Sequence, residues 1–401
     1  MASKFYTARW ILPMTSSIVE NGCVEVAAEA IVAIHSERPP GVEVVELGDV
    51  ALVPHLINAH THLEFSALAE PLGDPRETFD QWIGEVVGYR RSLAAEGADK
   101  LRAAIKTGLL ETAASGVIAV GEITTNWELE SSYSNPHVEV VSLREVINFS
   151  ADEVSRITAD VESYITKLQN RGMTVGVSPH SPYTVHWDQL INLCRISQEY
   201  KVPCVMHLAE TTEEGELISK RSGVFRVMLE QLGMWEESAI PESVSYLDYV
   251  QALSNSWRAL LVHGNYFDAE VHRLLGKLRN RIAVCFCPRT HAWFGHDRYP
   301  LYSMLEYDVR VCLGTDSKAS NPDLSLIDEL QFVAALYPEL KVAKLLEMVT
   351  VNASFALGLD KKYGFLGEGA STKVLMVPVD PENPLDIQLI SNLSKAESVD
   401  L

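Results

Sequence analysis

Residues 56–62 read Leu-Ile-Asn-Ala-His-Thr-His, a short apolar run that stops at two histidines two positions apart. Runs of this kind, bounded by polar residues, read as strands buried on both faces. Seven more follow: GVIAVGE (116–122), VEVVSL (138–143), TVGVSP (174–179), PCVMHLA (203–209), ALLVH (259–263), IAVCFC (282–287) and VRVCLGT (309–315). Helical spacing fills the intervals at 96–114, 150–171, 187–200, 269–280 and 326–337. Ser150 and Glu153 predict a capping box at the start of the second of these. Eight strand–helix alternations predict an α/β fold, a (β/α)8 barrel. A doubly wound open sheet is the competing architecture, but no GxGxxG follows the first strand.

Outside the alternation lie IVAIHSE (31–37) and VEVVELGD (42–49), separated by Pro39, Pro40 and Gly41, and a last strand VLMVPV (374–379). These predict a small sheet built from both ends of the chain. The expected division is 1–52 with 365–401 for that unit and 53–364 for the barrel. The long interval from Thr211 to Arg258 has room for an extra helix over the site.

Composition narrows the classes of function. The 401 residues carry 54 acidic against 33 basic side chains, a net charge of −21, with no basic block. Nucleic acid and anionic membranes are therefore not expected partners. No run approaches the ~18 apolar residues of a membrane span. The start, MASKFYTARWILPM, is too short in apolar residues for a secretory signal, so a cytoplasmic location is expected. The six cysteines form no CxxC, which argues against zinc ribbons and thiol redox chemistry. Cys285 and Cys287 alternate in a strand and read as small core hydrophobes. A homodimer is expected on general grounds.

In a barrel of this type, function gathers at the C-terminal ends of the strands. Those ends carry His60, His62, His180, His207, Glu210, His263 and Asp316. Imidazoles and a carboxylate converging from different strands predict a metal site, with Zn²⁺ as first choice and Fe²⁺ as second. Residues two apart on a strand share a face, so His60 and His62 both reach the barrel mouth.

The segment ALVPHLINAHTHLEF (51–65) resembles the opening motif of the amidohydrolase superfamily, and PHSPYT, HLAET, LVHG, CPRT and LGTDS resemble its later motifs in order. Nearly the whole chain is covered. The nearest likeness is to the branch of cytosine and nucleoside deaminases and triazine hydrolases. The resemblance implies a (β/α)8 barrel with a small β-sandwich from the two termini. It implies His60, His62, His207 and Asp316 as metal ligands. It further implies Asp316 as the base, Glu210 as the proton shuttle, and His263 as the residue holding the attacking oxygen. His180 and Arg144 match substrate-contacting positions. No lysine ends the fourth strand, TVGVSPHSPY, so a single metal is implied.

The chemistry implied is attack of metal-activated water on a ring carbon bearing an exocyclic amine, with release of ammonia. The ring is purine-like, pyrimidine-like or a triazine. Hydrolysis of another C–N or C–Cl bond at the same site is the alternative, and a non-catalytic barrel scaffold is the reading from a different class. The HxE…PCxxC pattern of cytidine-type deaminases is absent. The loop Arg289–His296 departs from the family pattern and is expected to face the pocket, with Arg289 pairing an anionic group and Trp293 stacking on a ring. The competing reading is a helix start with Trp293 in the core. If Arg144 and Arg289 both face the pocket, a nucleoside carrying a carboxylate is the expected substrate.

Overall fold

The computed structural model describes residues 3–401, apart from residues 134 and 136. Five strands open the chain: β1 (Lys4–Ile11), β2 (Val19–Ala27), β3 (Ala30–His35), β4 (Val45–Glu46) and β5 (Val50–Pro54). The eight that follow are β6 (Leu56–Thr61), β7 (Val117–Thr124), β8 (Glu139–Val146), β9 (Val175–Pro179), β10 (Pro203–Leu208), β11 (Arg258–His263), β12 (Ile282–Phe286) and β13 (Val311–Leu313). They pair in sequence order in one parallel sheet. A parallel bridge between Thr61 and Asp316 joins its two edges. The sheet is thereby a barrel, and every residue of β7 and β10 is buried. One face of each strand fills the interior and the other packs on helices, so these strands read as continuous apolar runs.

The helices between and after the strands are α1 (Phe79–Glu96), α2 (Ala98–Ala114), α3 (Val154–Gln169), α4 (Trp187–Tyr200), α5 (Thr212–Lys220), α6 (Val224–Gln231) and α7 (Tyr246–Leu253). They continue as α8 (Ala269–Lys277), α9 (Pro288–Trp293), α10 (Leu301–Glu306), α11 (Leu326–Leu336), α12 (Val342–Val349) and α13 (Val351–Leu357). In α13, Ala353, Ala356 and Leu357 join Ile57, Ala59, Val205, Val262 and Cys285 in one buried cluster. Cys285 and Cys287 both belong to it, as core residues. None of these helices is long and apolar enough to cross a membrane.

The chain ends with β14 (Lys373–Pro378), α14 (Leu385–Asn392) and β15 (Glu397–Asp400). Strands β14 and β15 join β1–β5 in a second, seven-stranded sheet. A bridge from Ala30 to Ser371 ties β3 to the segment before β14. Ala8, Ile11, Val24, Ile31, Leu52 and Val374 form its own apolar core.

Three local expectations are corrected. The run VEVVELGD yields only Val45–Glu46, both exposed, because it pairs β1 at two positions only. The helix predicted over 96–114 is α2, Ala98–Ala114, and begins two residues later because Gly97, at φ +93°, separates it from α1. The preceding helix α1 was not anticipated. Its signal is Thr-x-x-Gln at 78–81, a capping box in which the Thr78 N–H donates to Gln81. At α3 the expected capping box is absent. Ser150 N–H donates to Asn148 and Ala151 N–H to Glu236, so a turn occupies these residues and the helix begins at Val154.

Candidate active site

The strand ends converge as the barrel geometry requires. The His60 Nε2 lies 3.3 Å from His207 Nε2 and 3.6 Å from Asp316 Oδ1. The His62 Nε2 is 3.7 Å from the same oxygen. All four residues are buried. His207 Nδ1–H donates to the His180 carbonyl at 3.1 Å, which leaves its Nε2 lone pair facing His60. Imidazoles and a carboxylate turned towards one point from different strands make a donor set that a single cation bridges. Ligand atoms bound at about 2.0–2.1 Å around a tetrahedral ion sit about 3.3 Å apart. The donor set and its spacing therefore fit one divalent ion of the Zn²⁺ or Fe²⁺ kind.

Strand alternation alone does not produce this cluster. The pairing of β6 with β7 loses register between Asn58 and Thr61, an irregularity of the kind that re-aims side chains at a barrel rim. The strand stops at Thr61, and His62 precedes a short 3-10 turn, Leu63–Phe65. Three further rim residues hold a left-handed backbone without being glycine: Ala209 (φ +56°), His263 (+75°) and Asp316 (+56°). Each such residue costs on the order of 1–3 kcal/mol and needs outside support. Glu214 Oε1 accepts the Ala209 N–H at 2.6 Å. The Tyr299 hydroxyl donates to the His263 carbonyl at 2.9 Å. Asp316 N–H donates to the His60 carbonyl at 3.1 Å, and its own carbonyl accepts from Thr61 Oγ1.

Glu210 Oε1 lies 3.3 Å from His263 Nε2, which is itself 4.0 Å from Asp316 Oδ2. Burial, with Asp316 and Glu214 nearby, pushes the Glu210 carboxyl well above its ordinary range. Burial also pushes Asp316 up, but the close approach of His60, with His263 and His62, holds it far below its ordinary range. Burial lowers His180 and His207 to about 3, helped by Arg90 and by His60 respectively. The centre thus sets an anionic carboxylate beside a protonated one, with His62, His180, His207 and His263 held towards the neutral form by burial. That is the division of labour for removing a proton at one point and delivering one at another.

A cavity of about 240 Å³ opens from this centre. His62, His180, His207, Glu210, His263 and Asp316 line it, together with Phe79, Trp82, Ile83 and Val86 of α1 and Met228 and Leu229 of α6. Helix α6 belongs to the long interval expected to cover the site. The wall from α1 was not expected, although FDQWIGEVVGYR carries apolar residues at helical spacing. From α1, Arg90 donates to Glu64 at 2.9 Å and lies 3.6 Å from Glu145. Glu122 Oε2 accepts the Leu63 N–H at 2.9 Å and so fixes the backbone just after His62.

His180 stands in the cavity wall, its Nδ1 held by Thr184 Oγ1 at 2.7 Å. Three other expected substrate residues lie elsewhere. Arg144 points away from the barrel axis, between the rings of Trp127 (4.4 Å) and Tyr164 (5.2 Å), and donates to the Asp160 carbonyl at 2.7 Å. Its neighbours Leu143 and Glu145 take the other face, so the one-residue alternation of β8 excludes it. Arg289 is bound by Asp323 and Glu329, at 2.5 and 2.6 Å. Trp293 is partly buried in α9 outside the cavity lining, while its neighbour Phe294 packs on Trp82 at 4.9 Å, behind the wall. The loop is a helix start, as the competing reading has it, but without a side-chain cap and with Trp293 only partly buried and outside the core. Arg144→Met is accordingly expected to cost about 1–2 kcal/mol of stability through lost cation–π and hydrogen-bond contacts, with kcat/KM unchanged. Thermal melts and steady-state kinetics on the same preparation check this.

Comparison with known proteins accords with this geometry. The profile of the amidohydrolase family matches residues 51–400. The 5-methylthioadenosine/S-adenosylhomocysteine deaminase of Pyrococcus furiosus is 27% identical over 381 residues, covering 91% of this chain and 82% of that one. A crystal structure of the Helicobacter pylori aminofutalosine deaminase with methylthio-coformycin superposes with a TM-score of 0.81 at 21% identity, over 99% of this chain and 97% of that one. A Xanthomonas campestris adenosine deaminase with bound zinc superposes with a TM-score of 0.75 at 20% identity, over 98% and 90%.

Proposed function

The chain belongs to the amidohydrolase family, and on that premise we propose that it is a metal-dependent aminohydrolase that replaces the exocyclic amine of an adenine-type nucleoside and releases ammonia. The observation that carries this reading is the convergence of His60, His62, His207 and Asp316 on one point beside a buried Glu210. The deaminase activities of the relatives support the substrate class.

His60, His62, His207 and Asp316 would hold the ion, and zinc in the X. campestris protein supports its identity. A divalent ion bound there acidifies water and polarises its attack on the ring. Asp316, kept anionic, accepts the proton of the attacking water. Glu210, kept protonated, donates to the ring nitrogen next to the reacting carbon, so negative charge does not build up as that carbon becomes tetrahedral. His263 hydrogen-bonds the incoming oxygen and orients it. The proton held by Asp316 then passes to the amine, the C–N bond breaks and ammonia leaves, and the hydroxyl proton left on the former water oxygen returns to Glu210 as the ring keto form appears. Water and amine are consumed, and the ring keto form and ammonia are produced. Protonation of the ring nitrogen by Glu210 serves an amine and a chloride leaving group alike, so it is the deaminase activities of the relatives that favour an amine.

The test combines metal analysis with an ammonia-release screen over adenine nucleosides, free purines, pyrimidines and triazines. Purified protein is expected to hold about one equivalent of zinc or iron. A chelator should abolish ammonia release, and added Zn²⁺ should restore it. Protein that neither holds nor takes up a metal would refute the assignment. Ammonia from triazines or pyrimidines alone would refute the nucleoside.

A further inference from the structure

The cavity is chemically divided. Its polar groups stand over the strand ends, whereas the remainder is walled by Phe79, Trp82, Ile83, Val86, Met228 and Leu232. Leu232 is 60% exposed, and Met234 and Ile147 at the same opening are 41% and 45% exposed, so apolar side chains line the way out to solvent. Arg90 is the one cation among the described lining residues. Its charge is already engaged by Glu64 at 2.7 Å and by Glu145. With Glu122 also nearby, this group has more carboxyls than cations and offers nothing to a further anion.

We propose that the substrate's arm at the nucleoside 5′ carbon is apolar and uncharged where it meets this wall, and that the site discriminates against an arm ending in an amino-acid zwitterion. The inference rests on the aminohydrolase reading. If the amine-bearing ring carbon lies at the strand ends, the sugar's 5′ side faces the α1–α6 wall. An alkylthio arm there exchanges water for Trp82, Ile83 and Met228. Each buried methylene is worth about fourfold in affinity. An ammonium and a carboxylate at the same place lose water without gaining a partner. Neither Arg144 nor Arg289, the cations that would have paired a carboxylate, reaches the cavity.

The metal-loaded enzyme is assayed with adenosine, 5′-methylthioadenosine and S-adenosylhomocysteine. The expected kcat/KM for 5′-methylthioadenosine is about tenfold above adenosine and about a hundredfold above S-adenosylhomocysteine. Calorimetry with the deaminated products, 5′-methylthioinosine and S-inosylhomocysteine, reads the same preference without turnover. The methylthio compound should bind more tightly, with a negative heat-capacity change. Leu232→Arg, at an exposed position that folding does not depend on, should narrow the ratio about tenfold by raising S-adenosylhomocysteine. S-Adenosylhomocysteine turned over or its product bound as well as the methylthio compound would overturn the apolar arm while leaving the aminohydrolase standing. No ammonia from any nucleoside, with no inosine product bound, would overturn both.

Discussion

Glu210→Gln lowers kcat by about 10²–10⁴ while the protein keeps its metal. Glu210 is not in the ligand set, so metal analysis of the variant should match the parent. The loss comes from the proton. Burial beside Asp316 and Glu214 holds the Glu210 carboxyl protonated, and glutamine has the same shape but no proton to deliver. The loss should persist on a substrate whose amine is replaced by chloride, because Glu210 protonates the ring nitrogen and not the leaving group. The pH profile supplies a second check. The carboxyl works in its protonated form, so parent activity falls as pH rises through its raised pKa. That basic limb should vanish from the residual activity of the variant. A variant with parental kcat would remove Glu210 from the mechanism, and a metal-free variant would make it a ligand.

Arg289→Met costs about 3–5 kcal/mol of stability and leaves KM unchanged. Its guanidinium, 14% exposed, binds Glu329 at 2.6 Å, and Glu329 is fully buried. Removing the cation leaves that carboxylate without its partner. The sign of the pH effect follows. Burial raises Glu329 from 4.5 to about 7 in spite of Arg289, so the folded state binds this proton more tightly than the unfolded chain. Stability from this group is fully present below about pH 4.5 and lost as pH rises towards 7. Without Arg289 the carboxyl rises further, the loss continues above pH 7, and the gap between parent and variant widens from pH 6 to pH 9. Denaturant titrations across that range check it. Glu329 also accepts from Asn321, which donates to the Thr315 carbonyl next to Asp316. Any kinetic loss therefore appears in kcat, through the Asp316 turn. A rise in KM confined to anionic substrates would return Arg289 to the pocket.

The barrel and the centre of the site were legible in the chain. Helix α4 falls on the predicted 187–200, and each of the eight apolar runs overlaps a barrel strand. His60, His62, His207, Glu210, His263 and Asp316 stand beside one another because strand-end chemistry in a barrel is a local property. The misreadings share a cause. Arg144 sits one position from a rim residue, and a single step along a strand exchanges the interior for the helix layer. Arg289 follows a strand in a loop that in isolation looks free, but its partners lie 34 and 40 residues away. A charge in a sequence names no partner.

The sequence by itself therefore determined the period of the strands, the order of the elements and the groups that end each strand. These depend on neighbours within a few residues and on a closed sheet that repeats one rule. Only the tertiary structure decided the walls of the cavity, the strained turns at Ala209, His263 and Asp316, and the fate of each arginine. Those depend on which distant helix or carboxylate arrives at the same place. Helix α1 turns Phe79, Trp82 and Ile83 towards the cavity, and Asp323 and Glu329 reach Arg289 before a substrate can, because a buried charge must be met by the nearest opposite charge the fold supplies.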